Sequence, residues 1–413
     1  MPEKFPNALS PRPRVNTRRA LLLLFIPVLL LSIAQLAAAL FEASGTLPHL
    51  EWAQLLNPFD HHPHLLLADL EPSRAAAHWE QIRVLHPLYA PAWIRLGLDQ
   101  EREGHNAAAE RSLLRAAALD HTFLPQWTLA NYYFRQGHED LFWTHARHAA
   151  SVYQGDLTGV FHLALRLEDD PRRVWERLTP PYAPARIDLV RVLLSTGRLA
   201  AAASVADLMA AAHLRGTREL LLEACALANE RGEVAAALAF WNAAARNGWI
   251  ARPVLDVARG VQLADGAFQH QPMGSCFDWR TSPQDGLSIH AGAPAGLRIE
   301  MTGRQAADTV LAAVRIPVQP HHRYRLAWRY TTALGRNSSN PVWRINGTVV
   351  AAWQAMSPTR EDSLEFDAGP KRLVELALAT SSAVGATRPE GRLRLDWVTI
   401  AVIHSSASPS NHL

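Results

Sequence analysis

The stretch APAWIRLG at residues 90–97 returns in altered form as LPQWTLAN at residues 124–131. Its tryptophans, Trp93 and Trp127, lie 34 residues apart, and a proline stands two positions before each of them. Proline is tolerated in the first turn of a helix because its missing N–H would have no partner there. An interval of this length predicts repeated units of two antiparallel helices, stacked so that both tryptophans are buried between helices.

Glycines in this region follow a similar interval. Gly104 and Gly137 stand where the first helix of each unit should end, and a looser pair, Gly197 and Gly232, carries the pattern toward residue 260. The order Trp, Leu, Gly, then Ala and a large apolar residue resembles the tetratricopeptide repeat (TPR), most clearly over residues 71–155. The resemblance implies a solenoid whose concave face binds protein partners. A purely structural spacer is the alternative.

An uncharged, apolar segment runs from Ala20 to Phe41. As a helix it would span roughly 33 Å, which matches the hydrocarbon core of a bilayer. Arginines precede it, Arg18 and Arg19 among them, so the positive-inside rule predicts a single-pass anchor with a cytoplasmic N-terminus. A cleaved signal peptide is the alternative. Because either one exports the remaining chain, we expect a bacterial inner-membrane protein with a periplasmic body.

The sequence pattern changes to a period of two after residue 277. Large apolar side chains alternate with Arg, Ala or Asp from Tyr324 to Tyr330 and again from Leu393 to Trp397. Eight or so short strands of this kind predict a β-sandwich or jelly roll over 277–405. With Phe277–Trp279, these strands resemble carbohydrate-binding jelly rolls. Anchor, repeats and β-domain together resemble accessory proteins of bacterial exopolysaccharide assembly, an analogy at the level of fold.

A predicted hairpin around Asn346–Gly347 supplies the candidate binding site. Sugar recognition needs exposed aromatic faces beside hydrogen-bonding side chains. The candidate glycan- or partner-binding residues are Trp343, Trp353, Arg344, Asn340 and Gln354. Alternatively the two tryptophans fill the core, as we expect for Trp279, Trp328 and Trp397, or they form a protein-docking surface, where Trp and Arg are also enriched.

Several functional classes are disfavoured by composition and spacing. A net charge of +3 without a basic cluster beyond the N-terminus argues against nucleic acid as a partner. The histidines of residues 61–64 are expected in a solvated loop, so no metal or cofactor is predicted. The carboxylate pairs Asp169–Asp170 and Glu361–Asp362 are sequence neighbours and do not by themselves face each other across a cleft. We therefore predict no enzyme, with a polysaccharide hydrolase as the alternative.

Two cysteines cannot form a disulfide framework. Cys225 is expected as a small core residue, and a bridge to Cys276 is the alternative. The predicted fold is multidomain α and β: a transmembrane helix, a TPR-like α-α solenoid, then an all-β sandwich. The predicted order is a basic cytoplasmic tail (1–19), anchor (20–41), linker (42–70), helical repeats (71–260), linker (261–276), β-sandwich (277–405) and disordered tail (406–413).

Overall fold

The computed structural model describes residues 17–153, 155–178, 185–282, 284–292, 296–335, 338–381 and 387–403. Most of the predicted basic tail (1–16) and the predicted disordered tail (406–413) lie outside the described residues. The chain divides into two compact units, Met1–Tyr153 and Gln154–Leu413, and this division falls inside the predicted repeat region.

Helices make up the described part of the first unit. They are α1 (Thr17–Ser44), α2 (Leu47–Leu56), α3 (His62–Leu70), α4 (Ala75–Leu85), α5 (Ala90–Arg102), α6 (Asn106–Leu119), α7 (Phe123–Gln136) and α8 (Glu139–Val152). Among the described residues, Phe25–Ser44 of α1 is the one stretch long and apolar enough to cross a membrane. Its Leu36 and Leu40 side chains are 63% and 66% exposed. That this helix crosses a bilayer stays a prediction.

Gly97 brings α5 and α6 into close contact. A β-carbon at this position would lie 2.7 Å from Cγ of Leu113 and 3.2 Å from the carbonyl oxygen of Ala109. Glycine therefore fits where another residue would push the two helices apart. Gly137 ends α7 in the left-handed conformation, with φ of 75°, which glycine adopts without a steric penalty.

The repeat tryptophans are less buried than predicted. Trp93 is half-buried, donates its indole N–H to the carbonyl oxygen of Pro87 at 3.0 Å and lies under the guanidinium of Arg83. Trp127 is also half-buried and stacks on Phe123, with ring centroids 6.1 Å apart. Both rings are partly covered by neighbouring side chains, so the prediction that they are buried between helices holds only in part.

The histidine cluster at 61–64 is folded, so the prediction of a solvated loop is wrong. His64 is 4% exposed, and its Nδ1 lies 3.1 Å from Nδ1 of His78. Nε2 of His64 lies 2.6 Å from the amide nitrogen of Gln54, and Nε2 of His78 lies 3.3 Å from the carboxylate of Glu71. One set of tautomers satisfies every group: Gln54 donates to His64, which donates to His78, which donates to Glu71.

Helices precede strands in the second unit, as predicted. The helices are α9 (Thr158–Leu167), α10 (Pro171–Leu178), α11 (Ala185–Ser195), α12 (Leu199–Ser204), α13 (Ala206–Ala211), α14 (Thr217–Glu230) and α15 (Val234–Arg246). The strands are β1 (Arg280–Thr281), β2 (Leu287–Ala291), β3 (Leu297–Thr302), β4 (Val310–Pro317), β5 (Arg323–Leu334), β6 (Pro341–Ile345), β7 (Thr348–Ala352), β8 (Met356–Asp367), β9 (Leu373–Thr380) and β10 (Glu390–Ile403).

The ten strands form two antiparallel five-stranded sheets. The β9 sheet has the order β1-β4-β9-β6-β7, and the β10 sheet has the order β2-β3-β10-β5-β8. Along β5 the buried side chains alternate with exposed or half-buried ones, as the period-two pattern predicts. One hydrophobic core draws on both sheets, for example Trp343 of the β9 sheet and Tyr324 of the β10 sheet.

Two of the three tryptophans predicted in the core are buried there. Trp279 is 1% exposed and Trp328 is 2% exposed, whereas Trp397 is only half-buried. The pairing of β10 with β5 shifts register between Leu395 and Trp397. A shift of this kind re-aims the following side chain, which explains why simple alternation mispredicts Trp397.

A disulfide joins Cys225 of α14 to Cys276, which lies a few residues before β1. The prediction of a free core cysteine at Cys225 is therefore wrong, although its side chain is fully buried as expected. The bridge ties the helices of the second unit to the start of its sheets. The stretch predicted as a linker, 261–276, also contributes buried side chains, among them Phe268 at 1% exposure.

A buried ion pair lies close to the disulfide in the sequence. Nη2 of Arg252 lies 2.8 Å from Oδ2 of Asp278, and the two side chains are 3% and 0% exposed. Arg252 also donates to the carbonyl oxygen of Gln271 at 2.8 Å, and Asp278 accepts the backbone N–H of Met273 at 2.7 Å. These additional bonds satisfy both charged groups, as a buried ion pair requires.

Candidate functional site

The predicted tryptophan site lies inside the core. Trp343 is fully buried and Trp353 is 1% exposed. Their ring centroids lie 5.6 Å apart, and they pack against Trp328 at 6.0 Å and Tyr330 at 4.4 Å respectively. The prediction of exposed aromatic faces at these positions is wrong. Alternation along a strand reveals that a side chain lies on one face, but it cannot reveal which face is the core.

The polar members of the predicted set stay outside this aromatic cluster. Arg344 is half-buried and forms an ion pair with the carboxylate of Asp308. Asn340 and Gln354 are exposed. The structure therefore brings the two indoles together, and within the described ranges neither ring offers a stacking surface beside the hydrogen-bonding side chains.

The aromatic cluster leaves three polar atoms without acceptors. Within the described residues, the indole N–H groups of Trp328, Trp343 and Trp353 are buried and meet no hydrogen-bond partner. A buried donor without an acceptor costs stability, typically about 1–3 kcal/mol.

A groove crosses the helical part of the second unit. Its lining residues come from α9, α11 and α14 and from the segments just before α9 and α14. Two cavities, of about 510 Å³ and about 380 Å³, share Arg191 of α11 as part of their walls. We call this surface the Arg191 groove; its other lining residues include Asp156, Thr158, Ile187, Asp188, Arg215, Leu194, Leu220, Glu223 and Leu227.

Charged groups concentrate in the larger cavity. Asp188 accepts the backbone N–H of Leu157 at 3.3 Å and the guanidinium of Arg191 at 3.3 Å. Burial raises the pKa of Asp188 above its ordinary value, and the two hydrogen bonds offset only part of that rise. Arg191 is 63% exposed despite this contact, and Arg215 has no carboxylate partner within the described part of the chain. Both guanidiniums are thus available to a negatively charged ligand.

The smaller cavity has an apolar floor. Leu220 and Leu227 stand seven residues apart on α14, and Leu194 approaches them from α11. Leu220 is buried, and the other two leucines are half-buried. Exposed apolar side chains beside charged groups are typical of surfaces that bind polypeptide segments.

A shallower groove lies on the β10 sheet. Its cavity of about 270 Å³ is lined by residues of the three neighbouring strands β3, β10 and β5. Three of its lining residues are arginines: Arg298, Arg392 and Arg394. Glu300 also lines it, beside the smaller side chains Thr331 and Ala333, so the groove holds three guanidiniums and one carboxylate.

The carboxylate pairs considered from sequence serve local contacts. Asp170 accepts the backbone N–H of Arg172 at 2.9 Å, at the start of α10. Glu361 and Asp362 are consecutive on β8, where successive side chains point to opposite faces. Asp362 accepts the phenolic O–H of Tyr330 at 3.0 Å. Among the described residues, no group of three or more His, Cys, Asp or Glu side chains is arranged to hold a metal ion.

Sequence reasoning missed both grooves. The residues of the Arg191 groove come from three helices separated in sequence, and the arginines of the sheet groove come from two strands nearly a hundred residues apart. A partial signal existed in α14, where Leu220, Ala224 and Leu227 follow helical spacing and predict one shared face. It could not reveal that this face remains open.

Comparisons with known proteins give partial likenesses in fold. No protein-family model matches the chain, and no curated protein matches it. The solved structures that resemble it include YrrB, described as a TPR protein with an unusual peptide-binding site, at 16% identity, covering 48% of this chain and 91% of that chain with a TM-score of 0.25. PilF of Pseudomonas aeruginosa matches at 16% identity, over 52% of this chain and 90% of that chain, with a TM-score of 0.24. The CBM22-1 xylan-binding domain of Xyn10C from Paenibacillus barcinonensis matches at 12% identity, over 34% of this chain and 94% of that chain, with a TM-score of 0.24.

Proposed function

We propose that this protein is an adaptor that holds an extended segment of a protein partner in the Arg191 groove. One observation carries the proposal: two adjoining cavities share Arg191 and combine charged walls of both signs with an apolar floor. An extended segment can span both cavities, with a carboxylate beside Arg191 and Arg215 and apolar side chains on Leu220 and Leu227. Charge-assisted hydrogen bonds give such a complex orientation, and the buried apolar contacts contribute affinity.

We propose binding without catalysis at this surface. Asp188 is the most enclosed carboxylate of the larger cavity, and it is already engaged by a backbone N–H and by Arg191. Each carboxylate oxygen accepts one of these hydrogen bonds, which fixes the side chain against Leu157 and Arg191. The arrangement therefore suits a carboxylate that positions Arg191.

We further propose that the protein is anchored in the bacterial inner membrane, with a cytoplasmic N-terminus and the remaining chain in the periplasm. The exposed apolar surface of Phe25–Ser44 supports a membrane environment for that helix. The Cys225–Cys276 disulfide supports the location, because disulfides form and persist in oxidising compartments. In that setting we propose a role in cell-envelope or exopolysaccharide assembly, for which the order of anchor, repeats and β-domain is the support.

Peptide selection tests the adaptor proposal. The full chain in detergent is used to select binders from a library of random peptides displayed in extended form. We expect the recovered peptides to share a carboxylate flanked by apolar residues and to lose binding to Leu220→Ser and Arg191→Glu variants. Arg246→Glu is a matched control, because Arg246 is an exposed helical arginine that does not line the groove. Equal binding to all variants would refute the proposal.

A further inference from the structure

The β10 sheet carries a row of cationic and hydroxyl side chains on its outer face. Arg298 of β3 stands opposite His290 of β2 on one side and Arg394 of β10 on the other. Arg394 stands opposite Thr331 of β5, whose hydroxyl oxygen lies 3.0 Å from that of Thr359 on β8. We call these five residues the arginine row. They cross all five strands, and none of them is a carboxylate.

Two guanidiniums face each other in this row. Arg394 forms an ion pair with Asp396 at 2.8 Å, whereas Arg298 has no ion-pair partner in the described part of the chain. Like charges directly opposite each other on neighbouring strands destabilise a sheet. Two residues earlier on β10, Arg392 stands opposite Glu300 and forms an ion pair with it at 3.1 Å. That pair joins opposite charges, so it has no such repulsion. An anion bound between Arg298 and Arg394 would relieve the repulsion.

The arginine row is accessible. His290, Arg298 and Arg394 are exposed, and the groove of about 270 Å³ opens over the two arginines. Thr331 is half-buried and Ala333 is exposed, and both side chains are short beside the arginines. With strands about 4.8 Å apart, the row spans roughly 19 Å across the sheet. Each step between strands is similar to the length of one pyranose unit in a polysaccharide.

We propose that the arginine row binds an acidic polysaccharide. A uronate carboxylate bridges Arg298 and Arg394, since guanidinium forks match a carboxylate with paired hydrogen bonds. Sugar hydroxyls on neighbouring units reach Thr331, Thr359 and His290. An extended peptide that binds by strand addition uses a sheet edge, and the face of a sheet does not offer that pairing.

This site lies on a different surface from the Arg191 groove, so either proposal can fail without the other. Calorimetric titration of the full chain in detergent uses polygalacturonate oligomers and, as the matched ligand, the same oligomers with every carboxylate methyl-esterified. We expect binding of the acid form, weakened by added salt, and no binding of the ester. Arg298→Gln should weaken binding at least about tenfold, because a charge-assisted pair is lost.

Arg323→Gln is the matched control variant. Arg323 lies at the far end of β5 on the same sheet and is exposed, and it already pairs with Glu365 at 3.2 Å. We expect its affinity for the acid oligomer to stay within about twofold of the wild type. Arg394→Gln provides a second test of the row. Equal binding of acid and ester, unchanged affinity in Arg298→Gln, or equally tight binding of polyglutamate would overturn the proposal.

Discussion

Arg252 and Asp278 form an ion pair that water hardly reaches. The charged atoms lie 2.8 Å apart, and the side chains are 3% and 0% exposed. Arg252 follows the last helix of the second unit, and Asp278 precedes its first strand, so the pair connects the helical and sheet-forming parts of that unit. Removing a charge from water is costly, and only the mutual attraction and the added hydrogen bonds offset that cost.

Removing one partner of this pair should strongly destabilise the second unit. We expect Asp278→Asn or Arg252→Met to lower its free energy of unfolding by about 3–5 kcal/mol, because an uncompensated charge or donor stays buried. Urea denaturation followed by tryptophan fluorescence measures the change. Breaking the exposed pair Arg246–Asp207 with Asp207→Asn is the control and should cost less than about 1 kcal/mol. Equal losses in both pairs would contradict this account of burial.

Reduction of the Cys225–Cys276 disulfide should also destabilise the second unit. The bridged residues are 51 positions apart, so the bridge restricts a long loop in the unfolded chain. We expect the Cys225→Ser variant to lose about 2–4 kcal/mol of unfolding free energy. Comparing oxidised and reduced wild type in the same urea titration gives an independent measurement. A midpoint that does not respond to reductant would show that the bridge does not stabilise the protein.

Trp343 should contribute to stability rather than to ligand binding. We expect Trp343→Ala to cost about 3–5 kcal/mol, because it opens a cavity in the shared core of both sheets. Trp343→Phe should cost less, since it also removes an indole N–H that has no acceptor among the described residues. Gln354→Ala, at an exposed position of the same predicted set, should stay within about 0.5 kcal/mol of wild type. If Trp343→Ala kept the stability of the wild type but lost affinity for glycan, the hypothesis that Trp343 binds sugar would be supported instead.

The first unit should lose stability in mild acid. Burial lowers the pKa of His64 below its ordinary value of 6.5, with further contributions from His78 and His61. The unfolded chain therefore takes up a proton at a higher pH than the folded chain does. The contribution of the uncharged His64 to the unfolding free energy is present above about pH 6.5 and is lost as the pH falls below it. One such proton can contribute a slope of at most about 1.4 kcal/mol per pH unit.

Unfolding free energy measured between about pH 8 and pH 5 tests this sign. Replacing the buried ring in His64→Gln should flatten the pH dependence. His105→Gln is the control, because His105 is 67% exposed and lies beside Glu103. A wild-type protein that becomes more stable on acidification, or a His64→Gln variant with an unchanged slope, would contradict the proposed proton arrangement.

Local patterns predicted the order of elements well. The interval between Trp93 and Trp127 predicted paired helices, and alternation from Tyr324 to Tyr330 predicted a strand; both elements are present. Gly97 is an example. The repeat keeps a small residue at this position because the neighbouring helix packs directly against it. Residues that make contacts between elements close together in sequence recur at regular intervals along the chain.

Long-range relationships left no such trace. The pairing of Cys225 with Cys276 and the burial of Trp343 depend on how helices and sheets meet, which periodicity does not encode. His64 is buried because another helix supplies His78 as its partner. Arg298 and Arg394 become neighbours only through strand register, so the arginine row is a property of the sheet.

The most direct test of the adaptor proposal is a charge exchange at Arg191. A selected peptide and a version with its carboxylate replaced by lysine are titrated into the wild type and into Arg191→Glu. We expect the carboxylate peptide to bind the wild type at least about tenfold more tightly than the variant, and the lysine peptide to show the reverse preference. Arg298→Gln should leave both affinities unchanged. If the two peptides keep the same relative affinity for wild type and Arg191→Glu, the partner does not bind in the Arg191 groove and the central claim is wrong.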